Sequence, residues 1–268
     1  MSEWLLTHEP AVRGTLAVVV FALVVASETL FPKRPRSIGR MRRWPGNLGI
    51  VAINSVLVRL LLPASAVGIA LAVQGRGWGL LNLLALPPWL SVVLAVGLLD
   101  LALYVQHVAF HKVPVLWRLH RMHHADLELD ATTGLRFHPV EILLSLAIKG
   151  VVIAATGVSP LAVLIFEALL NATSVFNHAN VRLPSGLDRV IRRLVVTPEM
   201  HRVHHSIRRD ETDSNFGFNA PWWDHLFGTY RAQPADGHDG MTIGIPQFRD
   251  PMELRLDRLL AQPFRIAL

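Results

Sequence analysis

Between residues 107 and 124 the chain reads HVAFHKVPVLWRLHRMHH, and no other stretch restricts its fold as much. His107 and His111 are spaced i, i+4, while His120, His123 and His124 are spaced i, i+3 and i, i+4. On a helix such residues share one face, so each group can aim its imidazoles at one point, as metal binding requires. The HxxHH pattern returns as His201, His204 and His205. Adjacent residues diverge by about 100° on a helix, so His123 and His124, or His204 and His205, can face different metals.

Ten of the 13 histidines fall at motif positions, the others in this set being His138 and His178. A zinc site needs three or four protein ligands, so this number suits two metals with mostly imidazole shells. Imidazole serves iron and zinc alike, and ligand type does not choose between them. Paired metals are a known catalytic device. The chain has no cysteine, which excludes disulfides, thiolate metal sites and cysteine nucleophiles. His8 and His238 read as exposed. His225 reads as a packing residue within an aromatic cluster of Trp222, Trp223, Phe227 and Tyr230, itself read as packing ahead of a substrate mouth.

The rest of the chain points to a membrane. It is 51% hydrophobic and 17% charged, with a mean hydropathy of +0.38. The net charge of +6 lies beside apolar runs, which favours membrane topology over nucleic-acid binding. Apolar spans are predicted over 14–31, over 48–73 with a kink at Pro63, and over 80–106 with a break at Pro87 and Pro88. The loop 32–47 carries Lys33, Arg34, Arg36, Arg40, Arg42 and Arg43 and no acid, which predicts a cytoplasmic loop. His138 and Pro139 read as the cap and first turn of a helix. The runs 141–158 and 161–178 read as a hairpin that either spans twice or is re-entrant, and Thr197-Pro198-Glu199 opens the helix of the last box. Residues 1–10 lack the basic segment of a cleavable signal peptide.

Charges inside spans call for partners. Lys149 is expected to meet Glu167 across the hairpin. Asp100 is expected to pair with Arg59 or, failing that, to orient a metal-bound histidine from behind. The predicted fold is an all-α integral membrane protein, a transmembrane helical bundle with a cytoplasmic histidine-rich helical cap. Its expected regions are N-terminal transmembrane helices (1–94), a histidine-box domain (95–230) and a cytoplasmic tail (231–268).

The boxes at 107–111, 120–124 and 201–205 stand in order with RFHPVE (136–141), HAN (178–180) and WDHLFGTY (223–230). Together they resemble the membrane-bound fatty acid hydroxylase and sterol desaturase superfamily over roughly 95–230. The resemblance implies an O2-dependent non-haem diiron enzyme that oxidises unactivated C–H bonds of a fatty acyl or sterol-like lipid. It implies hydroxylation, or desaturation after a second hydrogen abstraction, with electrons from a separate donor protein. It assigns the two iron ions, which zinc can replace in purified protein, to His107, His111, His120, His123, His124, His138, His178, His201, His204 and His205. One position departs from the pattern: Ser174 stands four residues before His178 where members carry a histidine, and His138 is the expected substitute ligand. The implied location is an integral membrane, the inner membrane in a bacterium, with the active site on the cytoplasmic face. The competing readings are a membrane zinc metallohydrolase, a metal transporter and a non-catalytic membrane binding protein. A transporter would want its ligands near the bilayer midplane rather than at helix ends.

Overall fold

A computed structural model describes residues 2–61, 65–84 and 86–265. The expected kink at Pro63 lies outside the described residues. Among those described, regular structure is helical apart from two isolated bridges, Pro32 with Val181 and Ser206 with Ile243. The helices that build the molecule are α1 (Glu9–Leu30), α2 (Arg40–Leu61), α3 (Ala66–Gly75), α4 (Pro88–Lys112), α5 (Pro114–His124), α6 (Pro139–Thr156), α7 (Pro160–Asn177), α8 (Pro198–His204), α9 (Trp222–Leu226) and α10 (Leu256–Ala261).

Prolines open five of these helices, α4 to α8. A first-turn proline has its φ already set and lacks only an N–H that would be unpaired there. Side chains also cap N-termini in this set: Ser159 accepts from the Ala162 N–H at α7, and Thr197 from the Met200 N–H at α8. Helix α6 ends at Gly157, whose φ is +70°. A Cβ placed on Gly79 would lie 2.2 Å from the Gly157 nitrogen, so these two turns meet backbone to backbone and need both glycines.

Among the described residues, five segments are long and apolar enough to cross a membrane: Glu9–Leu30, Arg40–Leu83 (which runs over undescribed residues), Pro88–Lys112, Pro139–Thr156 and Pro160–Asn177. In α7 56% of the most apolar window is buried, against none in α1, so α7 is the central post and α1 lies on the outside. The outward faces stay apolar, with Val18, Leu23 and Val93 at least 60% exposed, as a lipid-facing surface requires. The shared core is built mostly from small and medium residues, among them Ala66, Ala70, Ala95, Ala162 and Val163, with Phe166 the largest. Small residues let membrane helices approach closely, where lipid removes the usual hydrophobic drive.

One expectation changes here. The arms of the 141–178 hairpin scarcely touch, because α3 and α4 each pack against both α6 and α7 and hold them apart. Lys149 still bridges the gap, its Nζ 2.8 Å from Glu167 Oε1. Residues 231–265 pack against the rest of the chain. Helix α10 packs on α2, with Leu259 buried against Ile50 and Met122. Met241 and Ile243 close over Leu129. The Gln262 and Arg265 carbonyls accept from Arg121 Nη2.

Candidate metal centre

The histidines come together where the C-terminal end of α4, helix α5, the end of α7 and helix α8 converge. They form two groups. In the first, His107, His111, His120, His124 and His204 each offer a ring nitrogen, all within 4.8 Å of one another. In the second, His123, His178, His201 and His205 do the same. Both HxxHH boxes divide between the groups, as the angle between adjacent helical residues dictates. The groups are neighbours: the rings of His124 and His205 stack with centroids 4.4 Å apart.

Most rings are oriented through Nδ1. His107 donates to the Phe216 carbonyl at 2.7 Å, His178 to the Ser174 carbonyl at 2.7 Å, His204 to the Ser214 carbonyl at 2.7 Å and His123 to the Arg136 carbonyl at 3.2 Å. His120 donates to Glu141 Oε1 at 2.7 Å. Since a carbonyl can only accept, each of these Nδ1 atoms carries the proton, and a neutral ring then leaves Nε2 as a bare lone pair. Burial favours the neutral ring throughout the second group and at His124 and His204. It pushes His123, His124, His201 and His205 well below the usual imidazole range, His178 down to about 4 and His204 to about 3.

The lone pairs show whether metal fits. In the first group the Nε2 atoms of all five residues are buried without a hydrogen-bond partner. In the second, Nε2 of His123, His201 and His205 each lie 3.1 Å from Nε2 of His178. One nitrogen can satisfy at most one such contact, and His123 and His178 point lone pair at lone pair. A cation bound among them turns repulsion into ligation, so the residues fit metal at both groups.

His138 belongs to neither group. Its Nδ1 accepts from the Val140 N–H at 3.2 Å, capping α6, and its Nε2 faces the Leu260 carbonyl at 3.3 Å. With both nitrogens engaged, it is a helix cap rather than the substitute ligand. His178 enters the second group without a histidine at 174. Ser174 donates instead to the Gly134 carbonyl, while its own carbonyl receives His178. His8 is exposed and stacks on Trp4. His225 is exposed and stacks on Tyr230. His238 is not exposed as expected: Nδ1 lies 3.1 Å from Glu199 Oε2, and burial lowers it to about 4.

Asp100 pairs with neither Arg59 nor a histidine. It accepts from Trp223 Nε1 at 2.8 Å, Asn219 Nδ2 at 2.9 Å and the Ala220 N–H at 3.3 Å. Arg59 is exposed, and no ion pair among the described residues includes it. Asp224 likewise accepts from the Phe216 and Gly217 N–H groups, both at 2.8 Å, while Phe216 receives His107. The aromatic segment 216–230 is therefore a brace for the site. Phe227 stacks on Tyr104 at 5.4 Å, and Trp222 donates to the Arg193 carbonyl.

Residues that the sequence left unassigned tie the first HxxHH box to the bundle. Arg43 is fully buried and reaches Asp126 through Nε at 2.8 Å and Nη2 at 2.7 Å, and Asp130 through Nη1 at 2.6 Å. Arg136 Nη1 lies 3.5 Å from Asp126 Oδ1. The paired arginines hold the Asp126 carboxyl well below the usual range despite its burial. The available signals were slight: Asp126 follows the box directly, and Glu141 closes RFHPVE.

A cavity of about 420 Å³ leads away from the site between α2, α4, α6 and α7. His107 and His120 line it, and no residue of the second group does. Its walls include Phe110, Phe137 and Phe218.

A sequence model of the family described as fatty acid hydroxylase matches residues 92–229, just over half of the chain and the span that supplies every histidine of both groups. The chain belongs to the fatty acid hydroxylase family. It is 32% identical over 150 residues to ornithine lipid hydroxylase OlsE of Rhizobium tropici, covering 55% of this chain and 44% of that protein. It is 28% identical over 180 residues to human alkylglycerol monooxygenase, covering 65% and 37%. It is 30% identical over 146 residues to cholesterol 25-hydroxylase of Rattus norvegicus, covering 53% and 47%. The chain thus spans less than half the length of these relatives. No solved structure matches it.

Proposed function

We propose that this fatty acid hydroxylase family member is an O2-dependent diiron lipid hydroxylase, integral to a membrane, with its metal centre on the cytoplasmic face. The observation that carries the reading is the pair of buried histidine groups, one of which borders a largely apolar cavity between membrane-length helices. The relatives, named as lipid hydroxylases and monooxygenases, support the same reaction class. When bound, an iron pair supplies the reduction of O2 and the oxidation of a C–H bond. One oxygen atom enters the lipid as an alcohol, the other leaves as water, and a separate donor protein provides two electrons with two protons. The first ligand set would be His107, His111, His120, His124 and His204; the second, His123, His178, His201 and His205.

The chain's own contributions follow from geometry. Carbonyl-bound Nδ1 atoms fix ring orientation, and Glu141 does so for His120. Phe110, Phe137 and Phe218 exclude water beside the first group and leave a lipid chain as the favoured occupant. The second group lies off the cavity, so the hydrocarbon is presented to the first group. The basic residues of 33–43 favour the cytoplasmic assignment. The test is metal per chain after purification with iron supplied, alongside oxygen-dependent lipid oxidation. His204→Ala should abolish oxidation and lower bound metal, while His8→Ala should change neither. Two metals and full lipid oxidation in H204A would refute the assignment.

A further inference from the structure

The cavity ends on charge. Opposite its histidine end it is lined by Arg13, Lys149 and Glu167, with Asn171 beside them. Lys149 Nζ and Arg13 Nη1 both lie 2.8 Å from Glu167 carboxylate oxygens, and the same Arg13 Nη1 also pairs with Glu9. Two cations and two carboxylates make a balanced set. Charges this deep in a bundle are costly, and a mere clamp joining α1, α6 and α7 would leave no donor idle. This set instead keeps hydrogen-bonding capacity in hand. Lys149 donates one of its three N–H bonds, and buried Arg13 Nε has no acceptor.

Charge balance selects the ligand. A carboxylate entering here would leave one negative charge uncompensated, and an ammonium one positive charge, each at a penalty of several kcal/mol in such surroundings. A neutral hydroxyl, ester or amide meets the free donors without that penalty. Glu167 lies eleven residues before His178 on α7, and Lys149 eight after Glu141 on α6, so the charged end stands roughly 12–16 Å from the histidines at about 1.5 Å rise per residue. Resting on the lipid-oxidation reading, we infer that Arg13, Lys149 and Glu167 form a subsite for a neutral hydrogen-bonding group of the lipid. The reacting carbon is then set by its distance from that group.

The test is equilibrium binding of radiolabelled dodecan-1-ol, dodecane and dodecanoate to the zinc-loaded full chain in nanodiscs, with empty nanodiscs as the blank. Dodecan-1-ol should bind about tenfold tighter than dodecane, the worth of one or two hydrogen bonds. K149M/E167Q, which removes the pair without stranding a charge, should cut that preference by about threefold or more while leaving dodecane binding within about twofold. K149R should retain it. Equal binding of alcohol and alkane, tighter binding of dodecanoate, or an unchanged preference in K149M/E167Q would each overturn the subsite. Binding needs no turnover, so the two readings separate: selective binding with no lipid oxidation by iron-loaded protein would refute the function and leave the subsite standing.

Discussion

Arg43→Met should be among the most destabilising single changes available outside the histidines. The side chain is fully buried and joins Asp126 and Asp130 by three hydrogen bonds between 2.6 and 2.8 Å. Methionine fills similar space but leaves two buried carboxylates without their main cation. Breaking a buried pair by removing one partner costs about 3–5 kcal/mol. Arg136, 3.5 Å from Asp126, offsets part of this, which places the loss near the lower bound. At roughly 2–4 °C per kcal/mol for a chain of this size, a loss of about 3 kcal/mol lowers Tm by about 6–12 °C. Thermal unfolding in nanodiscs, followed by the fluorescence of the seven tryptophans, reads this directly. Arg255→Ala is the control, because Arg255 and Asp257 form a pair whose side chains are each 60% exposed. Such pairs are worth about 0–1 kcal/mol, so its shift should stay under about 4 °C. R43M/D130N should recover part of the R43M loss, since an amide at position 130 carries no charge and Asp126 keeps Arg136 as its cation. An R43M shift no larger than that of R255A would refute the claim that this network holds the box.

Gly134→Ala should disturb the second histidine group selectively: its Cβ would fall 2.2 Å from the Ser174 carbonyl oxygen that orients His178. Overpacking of about 1–3 kcal/mol and a metal content falling toward one per chain are expected, and unchanged metal content by elemental analysis would contradict this. Glu141→Ala should weaken metal binding at the first group about 10–100-fold in chelator competition by freeing His120, with E141Q milder because it keeps an acceptor oxygen. Wild-type affinity in E141A would show that His120 needs no orienting partner.

Much of the fold was legible because its signals are local. The apolar runs at 14–31, 141–158 and 161–178 became Glu9–Leu30, Pro139–Thr156 and Pro160–Asn177, with prolines and capping side chains marking the starts. Partner choice was not legible. The six basic residues of 32–47 read as a topology signal, yet Arg36 and Arg40 reach buried Glu28, and Arg43 disappears into the Asp126 network. Nothing within a few residues of Arg43 announces this, since its acceptors lie more than eighty positions away. His138 carried two competing sequence signals, a cap before Pro139 and a ligand to complete the set. The cap prevailed because it engages Nδ1 with a backbone N–H two residues on, which distant histidines cannot displace.

The spacing of the boxes accounts for which face each histidine occupies, but not for where its lone pair points. That is fixed one bond further out, at Nδ1, and for His107, His123, His178 and His204 the partner is a backbone carbonyl. Three of those carbonyls, on Phe216, Arg136 and Ser214, lie outside the long helices, so ring orientation depends on loops being as rigid as helices. Asp224 binds the Phe216 and Gly217 N–H groups, and Asp100 binds Asn219, Ala220 and Trp223, pinning one loop from both ends. Arg136 is buried with its Nε on the Met122 carbonyl, which fixes the second. A constellation held this way has its ring orientations set by the chain itself, which is what metal binding without reorganisation would require. The segment WDHLFGTY therefore belongs to the centre although its only histidine, His225, is exposed and stacked on Tyr230: its work is done through Asp224 and Trp223 on the backbone that aims His107.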